Sequence, residues 1–344
     1  MRVVMVCQEW DANGPFSVSA ESAQEISMLA WGTAAPHVDV QSFAIGDGGP
    51  RSADAVAGSR TRVGGVELVA LDTFLTGGAA IAAPKGTATR WNPLDLASGL
   101  LGLAAAARSG GRRQTVVVPV GNGNCAGDAT GLWGVGGSWV KNMAAMRATL
   151  DVLDIVVLTT TDRPLLGFHG MSSALRDGRE ADAAVSLAAQ TQEDRWTAIA
   201  REVDAEASRP MLVGASRMSD QPGTGAATGL AYCLAAVGGR LVTDAAGYLM
   251  DTAGVRAAIG DDATVAVALA PTLTPTTLDH GVASSLARAA SAAAVPVVAV
   301  APEVHVGKRD LMAAGVAAAY EAGHGEDALG DQIRRVAQTW TRLN

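Results

Sequence analysis

Apolar residues fall in short blocks along the chain, and the spacing within each block predicts its element. Residues 2–7, Arg-Val-Val-Met-Val-Cys, form an unbroken apolar run that predicts a buried strand. Residues 17–22 offer several N-caps for a helix running to about residue 35, and residues 38–45 alternate as a second strand. Residues 63–71 predict a strand split by turn chemistry at Gly64-Gly65, and the small residues of 77–89 predict a loop. Asn92-Pro93-Leu94-Asp95 opens a helix to about residue 108, and the β-branched run 115–118 predicts the next strand. Residues 154–158 predict another strand, residues 172–179 a helix or turn, residues 180–207 a pair of exposed helices and residues 230–237 an apolar helix. From residue 264 the pattern alternates: strand 265–269, helix 278–293, strand 295–300, helix 308–313, strand 316–319, helix 326–342.

The βαβ segment at the amino end and the βα units at the carboxyl end are each incomplete alone, and together they make one doubly wound parallel sheet. The expected fold is therefore α/β with two domains. Residues 1–63 and 262–344 form a discontinuous flavodoxin- or Rossmann-like domain, and residues 64–261 form an inserted mixed α/β domain with glycine turns at its crevice. A length of 344 residues and a 49% hydrophobic content agree with a large folded core. The net charge of −8, with no basic cluster longer than Arg112-Arg113, argues against a nucleic-acid partner. The apolar segments are rich in Ala and Gly and interrupted by charge, which argues against a membrane span. Residues 3–7 run at once into polar Gln8, Glu9 and Asp11, so no leader pattern is present and a cytoplasmic location is expected. Three scattered cysteines imply neither a disulfide framework nor a zinc site.

Candidate chemistry gathers at strand ends. Residues 121–131, Gly-Asn-Gly-Asn-Cys-Ala-Gly-Asp-Ala-Thr-Gly, follow a strand and carry the isolated charge of Asp128. Such a turn either offers bare backbone N–H groups to an anion or simply needs positive φ angles. Residues 222–229 repeat its Gly-x-Gly-x-x-x-Gly spacing before a helix, for an approaching phosphate or for close helix packing. Asp47, between glycines past the second strand, reads as a ligand for Mg²⁺ or a substrate hydroxyl, or as a turn residue. Asp162 follows a strand, where open α/β sheets place their ligand crevice, and reads alternatively as pairing with Arg163 or capping a turn.

Together, Asp162-Arg163-Pro164-Leu165-Leu166-Gly167-x-x-Gly170, the run from Pro222 to Gly229, the turn with Asp128, the Asp47-Gly48-Gly49 turn and the early Ser17-Val18-Ser19-Ala20 resemble the type I glycerate kinases, in the family's order and over most of the chain. The resemblance implies transfer of the ATP γ-phosphate to glycerate or a related small hydroxy acid, with Mg²⁺. By that resemblance Asp47, Asp128 and Asp162 are candidate catalytic residues, with Asp47 and Asp162 as metal ligands. Gly121, Gly123, Gly127, Gly223, Gly225, Thr228 and Gly229 are candidates for holding the nucleotide. The sequence departs from the family at its charges. The Asp-Ser-Phe-Lys-Gly loop is Asp11-Ala12-Asn13-Gly14-Pro15-Phe16, without lysine, and the Asp-Gly-Gly-Glu-Gly turn has lost its glutamate. The late Gly-Glu-Gly-Arg-x-Asp motif reads Ala270-Pro271-Thr272-Leu273-Thr274-Pro275. Arg51, Arg163 and Arg179 are candidates to replace the lost cations, with His280 assisting substrate binding. The retained frame and lost charges equally fit a catalytically silent paralogue that binds a metabolite or a protein partner, or forms a homo-oligomer.

Overall fold

The computed structural model describes residues 1–11, 14–71, 78–179, 181–207, 217–260 and 262–341. Ala12 and Asn13 of the first loop, the loop start expected at 77, the helix start at 180, the domain edge at 261 and the helix end at 342 lie outside the described residues. In chain order the elements begin β1 (Arg2–Cys7), α1 (Ala20–Ala34), β2 (Asp39–Ala44), β3 (Arg60–Val63), β4 (Val66–Leu71), β5 (Ala79–Pro84), α2 (Pro93–Gly110) and β6 (Gln114–Gly121). They continue with α3 (Trp139–Leu150), β7 (Leu153–Thr159), α4 (Met171–Ala174), α5 (Ala183–Ala207), α6 (Leu230–Ala236) and β8 (Arg240–Val242). The remainder are α7 (Ala245–Ala253), α8 (Val255–Ile259), β9 (Ala263–Leu269), α9 (Pro275–His280), α10 (Val282–Ser291), β10 (Val297–Ala301), α11 (Lys308–Ala313), β11 (Val316–Glu321) and α12 (Gly325–Trp340).

The chain divides into two compact units, one of Met1–Asp47, Asp54–Ala57 and Asp244–Asn344, the other of Gly48–Ala53 and Gly58–Thr243. Helices α7 and α8, within the span expected as insertion, fall in the unit of the chain ends, and β3 falls in the other. The unit of the chain ends is built on an all-parallel sheet of order β11-β10-β9-β1-β2. Strand β1 lies between β2 and β9 and is covered on both faces, which is why its apolar run is unbroken. Val3, Met5 and Cys7 turn to the side where Trp31 of α1 and Ile333 of α12 are buried.

The second unit has a six-stranded sheet of order β3-β4-β5-β6-β7-β8. It begins antiparallel through β5 and continues parallel to β8. The expected split at Gly64-Gly65 is the β3–β4 hairpin. The loop expected over 77–89 instead contains strand β5, whose Ala-Ala-Ile-Ala-Ala-Pro sequence lacks a local strand preference and is held by pairing with β4 and β6. The expected pair of helices is the single 25-residue α5. The helix expected over 278–293 breaks into α9 and α10 at Gly281, where a Cβ would come within 2.0 Å of the Thr277 carbonyl oxygen. Among the described residues no helix is long and apolar enough to cross a membrane, and the three cysteines are free and buried.

Candidate functional site

The glycine turn leaves β6 and is pinned at three points. Gly121 takes φ +63° and lies so close to Gly49 that a Cβ would stand 2.9 Å from its Cα, so only glycine fits there. Trp91, buried to 1% exposure, donates its indole N–H to the Pro119 carbonyl at 2.7 Å, and its own carbonyl accepts from Ala126 N–H at 2.7 Å. Thr228 from the second glycine run accepts from Cys125 N–H at 3.3 Å and lies 3.1 Å from Cys125 Sγ. Burial pushes the Cys125 thiol above its ordinary value despite the Thr228 bond, so it is a packed neutral group.

The second glycine run is a packing device. A Cβ on Gly223 would meet Thr159 Oγ1 at 2.7 Å, one on Gly225 the Pro164 carbonyl oxygen at 2.5 Å, and one on Gly229 the Trp196 ring at 2.5 Å. Between them Ala227 and Thr228 both take left-handed conformations, at φ +50° and +53°. Two consecutive non-glycine residues there cost on the order of 1–3 kcal/mol each, and Thr228 is β-branched. The strain is spent holding the Thr228 hydroxyl against the first turn.

Asp128 closes the first turn. Its Oδ1 accepts from Thr130 N–H at 3.0 Å, and its Oδ2 accepts from Arg195 Nη2 at 2.5 Å. Half-burial opposes ionisation, but the Thr130 and Arg195 hydrogen bonds outweigh it and hold the carboxyl below its ordinary value, so it is ionised at neutral pH. Arg195 comes from α5, which a buried polar network fastens in place. Tyr232 on α6 donates to Asp204 Oδ1 at 2.7 Å, Ser219 donates to Asp204 Oδ2 at 2.6 Å, and Trp196 meets Tyr232 edge to face at 6.0 Å. Burial, then the Asp204 carboxylate, pushes the Tyr232 phenol up, so it stays a donor.

Two cavities flank Asp128. The larger, about 810 Å³, has Arg90, Asn124, Thr191, Gln192, Arg195 and Thr228 on its wall. The smaller, about 370 Å³, is lined by Leu94, Trp133, Trp139, Asn142 and the glycine patch Gly134 to Gly137, and both share Gly127 and Asp128. Of the residues singled out in the sequence, Gly127, Asp128 and Thr228 thus stand on one cavity wall, with Gly121 and Gly123 in the same turn. Gly223, Gly225 and Gly229 are buried against protein atoms. Asp162 is exposed past the end of β7, and Arg163 is committed to Asp177 at 2.7 Å. Arg51 donates to the carbonyls of Pro84 and Gly86, and Arg179 to that of Leu175. Asp47 and His280 belong to the other unit.

Arg90 and Arg195 are the cations on the cavity wall that sequence reasoning missed. The residues of α5 on the cavity, Ala184, Leu187, Ala188, Thr191, Gln192, Arg195 and Trp196, recur at the three- and four-residue spacing of one helix face. That face and the Asp128 turn were each there to be read, but not that the one would meet the other.

A family model described as the glycerate kinase family matches residues 139–344, more than half of the chain. Two uncharacterized mycobacterial proteins, Mb2228c of Mycobacterium bovis and MT2261 of Mycobacterium tuberculosis, are each 31% identical over 220 residues, covering 63% of this chain and 52% of theirs. The chain therefore spans about half the length of the curated relatives it matches. Among solved structures, a protein provisionally described as glycerate kinase 2 from Salmonella typhimurium LT2 superposes with a TM-score of 0.58 over 98% of this chain and 96% of its own, at 15% identity. That likeness speaks for the fold.

Proposed function

The chain belongs to the glycerate kinase family, and on that premise we propose that it transfers the ATP γ-phosphoryl group to a hydroxyl of glycerate or a related small hydroxy acid, at a reduced rate. The observation that carries this reading is the ionised Asp128 carboxylate, held by Arg195 at 2.5 Å on the wall of the larger cavity. Phosphoryl transfer depends on positioning and on compensating charge, and Arg90 and Arg195 bring cations to a site whose family lysine and arginine positions are lost. In the reaction Asp128 orients the acceptor hydroxyl and takes its proton as the oxygen bonds to phosphorus and the bond to the leaving diphosphate breaks. Among the described residues no three or more His, Cys, Asp or Glu side chains stand together as a metal site. Mg²⁺ carried on nucleotide phosphates needs only one or two carboxylates, and Asp162, exposed past the end of β7, would be a candidate to supply one. When bound, the ion offsets charge on the transferred group. Asp47 and His280, on the other unit, are retained as candidates for substitution.

One observation favours the silent paralogue as a second reading: Arg51, Arg163 and Arg179 are engaged with their own neighbours. A coupled ADP-release assay with D-glycerate, ATP and Mg²⁺ decides between the two. Saturable turnover that Asp128→Asn lowers by about a hundredfold or more supports the kinase. A folded protein without turnover above that of Asp128→Asn supports a binding module for a metabolite or protein partner.

A further inference from the structure

We propose that the larger cavity selects a hydroxy acid with an apolar tail, its carboxylate on Arg90, its reacting hydroxyl at Asp128 and its tail along the first turns of α5. That this acid is a phosphoryl acceptor rests on the kinase reading; its binding does not. At about 810 Å³ the cavity falls among those that enclose ligands several times larger than a three-carbon acid. Its charged groups gather at one end. Arg90 precedes Trp91, whose carbonyl accepts from Ala126 N–H at 2.7 Å, which brings the Arg90 backbone beside the turn that carries Asp128. Arg195 is already paired with Asp128. Arg90 is exposed and makes no hydrogen bond or ion pair with another described residue, so its charge is available to a carboxylate.

The helical wall changes character along α5. Arg195, Gln192 and Thr191 stand at its Asp128 end, and Ala188, Leu187 and Ala184 follow toward its amino end. At about 1.5 Å per residue the lining stretch from Arg195 to Ala184 spans roughly 16 Å, of which the polar part, Arg195 to Thr191, takes roughly 6 Å. A three-carbon acid covers the polar part and leaves the rest in water. Leu187 is 65% exposed, and Ala184 and Ala188 beside it on this face leave room over the helix. A large apolar side chain left in water in a concavity is what an apolar tail covers on binding. On the amino side of Arg195, α5 brings no charged side chain to the cavity. A polyhydroxylated chain of similar length meets hydrogen-bonding side chains on the polar part of the helix and none beyond it. The transfer itself is unchanged: the acceptor oxygen bonds to the γ-phosphorus, the bond to the leaving diphosphate breaks, and the hydroxyl proton passes to Asp128.

Calorimetric titration of the full chain with D-glycerate, 2,3-dihydroxyoctanoate of the same configuration at its second carbon, and D-gluconate tests this, followed by the ADP-release assay with the same acids, ATP and Mg²⁺. The expected result is that the dihydroxyoctanoate binds about tenfold more tightly than glycerate or gluconate and keeps that advantage in kcat/KM. Leu187→Gln cuts the advantage to about twofold, and Ala188→Phe, which fills the slot, does the same. Arg90→Gln weakens the dihydroxyoctanoate and glycerate alike, by about tenfold. Leu187 and Ala188 are exposed, so both substitutions keep the fold. A dihydroxyoctanoate no tighter than glycerate or gluconate, an advantage untouched by Leu187→Gln, or one that vanishes in kcat/KM although all three acids turn over, overturns the proposal. Failure of the kinase reading is a separate outcome: the tail preference with this variant pattern and no ADP release leaves the site standing. ADP release with glycerate and no tail preference removes the site and leaves the kinase.

Discussion

At the scale of the residue, the Asp128–Arg195 pair joins two charges on the wall of the larger cavity. Both side chains are nearly half exposed, at 49% and 46%, so solvent screening limits the pair to roughly 1 kcal/mol or less of stability. If the proposed kinase reading holds, its value lies in position: Arg195→Gln is expected to lower phosphoryl transfer by about a hundredfold while shifting the melting temperature little. The pair has a pH signature of definite sign. The folded-state pKa of Asp128 lies below 3.8, so its stabilising contribution is present above that value and is lost as pH falls through the depressed folded value. NMR titration of the Asp128 carboxyl is expected to show its midpoint rise in Arg195→Gln; an unchanged midpoint means Arg195 does not hold it. Asp128 stood out in the sequence as a lone charge in a glycine turn. Arg195 did not, because an arginine on a polar helix face looks the same whether it meets water or a carboxylate 67 positions away.

At the scale of the element, the two glycine runs share a spacing and differ in use. The first is an open turn, with nothing within 4 Å of a Cβ built on Gly123 or Gly127. The second is packed shut against β7, the 163–164 segment and α5. Gly229→Ala is therefore expected to cost about 2 kcal/mol or more, from a left-handed φ of +90° and a Cβ thrust into the Trp196 ring, and the cost is read as a lower denaturant midpoint. Gly127→Ala, also at positive φ but with open space around it, is expected to cost less than Gly229→Ala by the same measurement. Periodicity alone could not separate the two runs, since the difference lies in what other elements bring against each glycine. It was equally silent on β5, whose alanines become a strand only between two partners.

At the scale of the whole molecule, the two ends of the chain are tied by a histidine. His324, the N-cap of α12, stands with Nδ1 3.0 Å from buried Asp11 after β1 and Nε2 3.3 Å from Glu303 after β10, and Glu303 also meets His305 at 2.8 Å. The Asp11 hydrogen bond is the main cause that raises the His324 pKa above 6.5, followed by the two carboxylate charges. A raised histidine pKa gives stability that is full below the unfolded value and is lost as pH rises through the folded one. Wild type should thus lose stability relative to His324→Gln as pH climbs past 6.5, measured by thermal melts across that range; parallel curves for the two proteins would remove the clasp. The sequence by itself determined the parallel βα framework, the joining of both chain ends in one sheet and the glycine turn that carries Asp128, because hydrophobic period and turn chemistry are local properties of a chain. Tertiary structure alone decided that Arg90 and Arg195 face that turn, that Arg51 and Arg163 are spent elsewhere, and that His324 meets Asp11, because a charge acquires its partner only when distant segments are brought within a few ångströms.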